Sequence, residues 1–123
     1  MSKKILIVDD EEDMRIYLQT LLRKAGYETA LAVNGEDAGE VLAREKPDLI
    51  TLDILMPKRS GLNFFERLRG DDSTKALPVI VISGVTRSDD FFEKEKLGGP
   101  TLFVEKPIKP DSLLQQVRQL IGE

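Results

Sequence analysis

The chain has 123 residues, enough for one domain with a buried core and too few for two. Its net charge of −4 argues against nucleic-acid binding through a basic face, and no apolar stretch approaches the about 20 residues that cross a bilayer. Cysteine and histidine are both absent, which excludes disulfides, the usual general base and the softer metal ligands, so any metal held here would be hard and oxygen-liganded.

The N-terminal Met1-Ser2-Lys3-Lys4 leads straight into Ile5-Leu6-Ile7-Val8, a β-branched run that reads as a buried strand and is too short for a signal-peptide core. Met14, Tyr17, Leu18, Leu21, Leu22 and Ala25 then recur at helical spacing, and Gly26 stops that helix. Tyr27 to Leu31 predicts a short strand at a sheet edge. Asn34-Gly35 is a turn, followed by a helical stripe of Ala38, Val41 and Leu42. Pro47 precedes a third strand, Leu49-Ile50-Thr51-Leu52. Leu62, Phe65 and Leu68 mark a third helix, and Gly70-Asp71-Asp72-Ser73 a loop. Pro78 opens a fourth strand, Val79-Ile80-Val81-Ile82. A fourth helix over 89–97 has few apolar positions and ends at Gly98-Gly99-Pro100. Leu102-Phe103-Val104 is the fifth strand, and Leu113, Leu114, Val117, Leu120 and Ile121 stripe the fifth helix. Five βα units with no linker or repeat predict a parallel sheet with helices on both faces, because βαβ crossovers are right-handed.

In such a sheet, function gathers outside the carboxyl ends of the strands. Strand one ends in Asp9-Asp10, strand three in Asp53, strand four in Ser83-Gly84, and strand five leads into Lys106-Pro107. Acidic residues in Asp9-Asp10-Glu11-Glu12 could simply serve a helix N-terminus. Asp53 is harder to explain that way: it follows a buried strand, where a charge is costly unless paired or liganded, and Met56-Pro57 and Gly61 imply an ordered loop before the next helix. Ser83 or Lys106 alone carries little, but Lys106-Pro107 at a strand end suits a cis peptide that redirects the lysine. Together, carboxylates from two strands need a divalent cation to relieve their repulsion, and Mg²⁺ suits a few carboxylates completed by water. A lysine and a hydroxyl complete the parts for holding a phosphoryl group beside a carboxylate nucleophile.

These residues, in this order and spacing, resemble a response-regulator receiver domain of a bacterial two-component system, of the single-domain, chemotaxis-regulator-like kind, over essentially all of residues 1–123. The resemblance implies a flavodoxin-like (βα)5 fold with strand order 2-1-3-4-5 and no output domain. It implies Asp53 as phosphoacceptor and Mg²⁺ bound by Asp9, Asp10, Asp53 and the backbone carbonyl of Leu55. Ser83 and Lys106 would contact the phosphoryl oxygens, and Ser83 and Phe103 would form the switch. Leu55 and Val85, two residues beyond the acceptor and the hydroxyl residue, would tune the lifetime of the phosphorylated form, since neither can orient a hydrolytic water. The implied partners are a sensor histidine kinase and a downstream protein on the face of the fourth helix, fifth strand and fifth helix. Direct nucleic-acid and membrane binding are not expected, and the expected place is the cytoplasm. The chain would assist only its own phosphorylation and dephosphorylation.

Two positions and one stretch depart from the pattern. Ser60 stands where Asp or Asn often precedes Gly61, Phe103 lacks the hydroxyl of the common tyrosine, and 85–101 lacks the usual alanine-rich helix and Gly-Ala-Asp turn. A flavodoxin-like cofactor binder would need a phosphate-cradling loop where this chain has Asp9-Asp10-Glu11-Glu12. A haloacid-dehalogenase-type phosphatase would need Asp-x-Asp after strand one, where the chain reads Asp9-Asp10-Glu11. A receiver-like scaffold that is never phosphorylated has no residue in its favour.

Overall fold

Ile5, Leu6 and Ile7 are fully buried, and so are Leu49, Ile50, Val79, Ile80 and Val81, so three strands carry apolar side chains into both faces of one sheet. That is the pattern of strands covered on both sides, and the computed structural model, which describes residues 2–54, 56, 60–84 and 99–122, shows the cause. Among the described residues, β1 (Lys4–Val8), β2 (Glu28–Ala32), β3 (Leu49–Asp53), β4 (Val79–Ser83) and β5 (Thr101–Glu105) pair in the order β2-β1-β3-β4-β5, all parallel. The flavodoxin-like order implied by the resemblance is the one observed.

Helices α1 (Glu12–Lys24), α2 (Gly35–Glu45), α3 (Ser60–Gly70) and a C-terminal helix (Pro110–Ile121) cover the two faces. Leu18 and Leu22 of α1 and Leu113 and Val117 of the C-terminal helix pack with Ile5, Ile7, Leu49, Ile80 and Ile82. Ala38 and Val41 of α2 and Leu62, Phe65 and Leu68 of α3 pack with Leu6, Val8, Ile50, Leu52, Val79 and Val81 on the other side. Alternate residues of each strand therefore serve different cores, as strand geometry requires.

Local chemistry sets the boundaries. Gly26 takes φ 99° just past the end of α1, a left-handed value that suits glycine. The edge strand β2 starts one residue later than its apolar pattern suggests, because Tyr27 is held by α1, its N–H donating to the Leu22 carbonyl at 3.1 Å. Asn34, read as part of a turn, caps α2. Its Oδ1 accepts from the Asp37 N–H at 2.8 Å while the Asp37 carboxylate accepts from the Val33 N–H at 3.0 Å. The predicted fourth helix, 89–97, lies outside the described residues.

One side chain ties the far end of the sheet. Arg69, near the end of α3, donates to the carbonyls of Lys75 at 3.1 Å, Leu77 at 2.8 Å and Pro100 at 3.3 Å, and to Thr101 Oγ1 at 2.7 Å. Its guanidinium also lies 5.3 Å from the centre of the Phe65 ring. It thereby joins α3, the approach to β4 and the start of β5.

Candidate acidic phosphoryl site

The carboxyl ends of β1, β3, β4 and β5 lie along one edge of the sheet, and the sequence places a polar side chain at each. Asp9 leaves β1 with its N–H still bonded to the Ala32 carbonyl at 3.1 Å, and the residue is 1% exposed. Asp53 is the last residue of β3 rather than the first beyond it. It sits opposite Ile82 in β4 and is 4% exposed. Ser83, the last residue of β4, is fully buried, and its carbonyl accepts from the Lys106 N–H at 2.8 Å.

The end of β3 is fitted closely against Gly61 of α3. A Cβ there would stand 2.5 Å from the Asp53 carbonyl oxygen and 3.1 Å from Ile54 Cα, so only glycine lets the first turn of α3 approach the end of β3 this closely. Beside Asp10 a cleft of about 720 Å³ opens toward Asn34, Ser60 and Arg67.

Carboxylate oxygens of Asp9, Asp10, Glu11 and Asp53 all lie within 4.8 Å of one another. The helix-terminus explanation accounts for part of this acidic run. Asp9 Oδ1 accepts from the Glu11 N–H at 2.9 Å, whereas Glu11, at the N-cap of α1, makes no side-chain cap bond. Burial pushes the Asp9 carboxyl above its ordinary value; the Glu11 N–H and the Lys106 charge work against that rise, and Asp10 and Glu11 add to it. The set is thus a concentration of hard oxygen donors that repel one another, two of them buried, which suits a divalent cation of the Mg²⁺ type.

The positive charge nearest Asp53 among the described ion pairs is Lys106. Its ammonium lies 3.7 Å from Asp53 Oδ2 and 3.9 Å from Glu11 Oε1. The Lys106-Pro107 peptide bond is cis, as the strand-end reading anticipates. Phe103, opposite Val81 in β4, is partly buried against the core shared by α2 and α3.

The structure therefore brings Asp9, Asp10, Asp53 and Lys106 together, with Ser83 at the adjoining strand end. Leu55 and Val85 lie outside the described residues. Sequence alone does not distinguish Glu11 within the acidic run; its contribution comes from the turn into α1, which brings it back toward Asp9 and Lys106.

Residues 5–118 match the family described as response regulator receiver domain. The polar-differentiation response regulator DivK of Brucella anthropi is 32% identical over 124 residues, covering 100% of this chain and 99% of that protein. The phosphate regulon transcriptional regulatory protein PhoB of Pseudomonas aeruginosa is 33% identical over 121 residues, covering 98% of this chain but 52% of PhoB. The chain thus spans about half the length of some curated relatives and nearly the whole of others. Among solved structures, a putative response regulator from Chloroflexus aurantiacus superimposes with a TM-score of 0.88 at 28% identity, each chain fully covered. No helix among the described residues is long and apolar enough to cross a membrane.

Proposed function

Because this chain belongs to the response regulator receiver domain family, we propose that it is a phosphorylation-controlled signalling module whose phosphoacceptor is Asp53. The observation that carries this reading is the placement of a buried carboxylate at the end of β3, among three further carboxylates and 3.7 Å from a lysine ammonium.

In the proposed step an Asp53 carboxylate oxygen attacks the phosphorus of a phosphohistidine on a sensor kinase. The O–P bond forms as the N–P bond breaks, and the histidine nitrogen keeps the bonding pair and takes up a proton. Asp9, Asp10 and Asp53, with the Leu55 carbonyl, would hold Mg²⁺, which when bound offsets the charge that collects on the phosphoryl oxygens. Lys106 stabilises one of those oxygens by charge and Ser83 another by a hydrogen bond. Burial at the end of β3 holds the nucleophile at a fixed angle and limits water. Ser83 and Phe103 then readjust and change what the surface at β5 and the C-terminal helix presents to a downstream protein.

The chain is on this reading a regulator rather than a turnover enzyme, a single receiver unit over 1–123 acting in the cytoplasm. Treatment with a small phosphodonor and Mg²⁺ should add one base-labile phosphoryl group, and Asp53→Asn should abolish it. Undiminished labelling of that variant would refute the assignment.

A further inference from the structure

Lys106 does not belong to Asp53 alone. Its ammonium is 3.7 Å from Asp53 Oδ2 and 3.9 Å from Glu11 Oε1, both beyond the ~2.8 Å of a charge-assisted hydrogen bond, so it is drawn to both carboxylates and seated on neither. The two partners sit in unlike surroundings. Asp53 is nearly fully buried, whereas the Glu11 side chain is 66% exposed, and the Lys106 side chain between them is 23% exposed. Glu11 is also fixed at its backbone, where its N–H donates to Asp9 Oδ1 at 2.9 Å, so its carboxylate projects from a defined point at the start of α1.

We propose that Glu11 is a positioning residue that competes with the acceptor site for Lys106: it shares the ammonium with Asp53 in the unphosphorylated protein and must release it when a phosphoryl group arrives on Asp53. An acyl phosphate adds negative charge on the Asp53 side, in the less screened half of the pair, and tips the ammonium away from Glu11. The contact therefore lowers the affinity of the site for a phosphoryl group and is broken when the site fills. Since one partner is well solvated, the effect is modest and is screened by salt.

This inference rests on the phosphoacceptor reading, and the test separates the two. The probe is beryllofluoride in saturating Mg²⁺ and low salt, its affinity for the full chain read by calorimetry. Three variants are compared: Glu11→Gln removes the charge, Glu11→Asp keeps the charge but draws it back by one methylene, and Glu12→Gln removes a neighbouring exposed charge outside the cluster. Both Glu11 variants should bind beryllofluoride about threefold more tightly than the unaltered chain, the gain expected from losing a largely solvated ion pair. Glu12→Gln should match the unaltered chain. If Glu11→Asp binds like the unaltered chain while Glu11→Gln binds tighter, simple repulsion of the anion explains the effect and the positioning role is wrong. If Glu11→Gln behaves as Glu12→Gln does, Glu11 has no such role. Failure of the unaltered chain to bind beryllofluoride at all overturns the phosphoacceptor reading, and this one with it.

Discussion

Gly61 and Asp53 meet backbone to backbone: a methyl group on the Gly61 Cα would lie 2.5 Å from the Asp53 carbonyl oxygen. The first turn of α3 and the end of β3 are therefore fitted to each other through the absence of a side chain, and the neighbour that would have to yield is backbone. Gly61→Ala should destabilise the protein by about 1–3 kcal/mol, the usual cost of overpacking, and should slow phosphorylation by a small donor because the strand that carries the proposed acceptor must shift. Chemical denaturation and labelling rates check both effects. An alanine variant with unaltered stability would show that the turn relaxes freely.

Asp9 sets an unusual pH dependence. Its carboxyl is raised mainly by burial, so the folded chain binds that proton more tightly than the unfolded chain does. Ionising Asp9 therefore costs stability. The cost is complete above the raised value and fades as pH falls through it toward the ordinary 3.8. In the presence of a chelator, Asp9→Asn should be more stable than the unaltered chain near neutral pH, and the gap should close as the solution is acidified toward that ordinary value. Added Mg²⁺ should reverse the order, because the unaltered chain gains more from the ion. Urea titrations at several pH values decide this; a gap that widens on acidification would contradict it.

Arg69 makes four hydrogen bonds to two separate stretches of chain, the approach to β4 and the start of β5. Arg69→Ala should cost about 2–4 kcal/mol, since it removes charged donors and leaves carbonyls at the starts of β4 and β5 without them. Arg69→Lys should recover only part, because an ammonium cannot reproduce the planar fork that reaches Leu77 and Thr101 together. Amide exchange at 99–105 should rise in the alanine variant. A loss of stability without faster exchange there would show that Arg69 matters only to α3.

The lifetime of the acyl phosphate is the fourth test. Leu55 and Val85 offer no hydrogen bond to a hydrolytic water, and each tenfold change in rate corresponds to about 1.4 kcal/mol of barrier. The double variant Leu55→Asn, Val85→Glu should lose its phosphoryl group faster than the unaltered chain when decay is followed with Mg²⁺ and no kinase. Equal or slower decay would remove these residues from the account of lifetime.

Much of this architecture was written in the order of residues. The apolar runs Ile5–Val8, Leu49–Leu52 and Val79–Ile82 specify strands buried on both faces, because alternate side chains must each find a core. The stripes through Leu18 and Leu22, Leu62 and Leu68, and Leu113 and Val117 specify helices for the same reason of burial. The positions of Asp9, Asp53 and Ser83 directly after such runs, with Lys106 just beyond Leu102–Val104, are enough to predict one shared site. Other features depended on distance between segments far apart in the chain. The sharing of Lys106 between Glu11 and Asp53, the need for glycine at 61 and the four bonds of Arg69 all arise from backbone brought within a few ångströms by the packed sheet. Periodicity reports which face of an element is buried. It does not report which carbonyl or carboxylate of another element will stand opposite, and only the folded chain decides that.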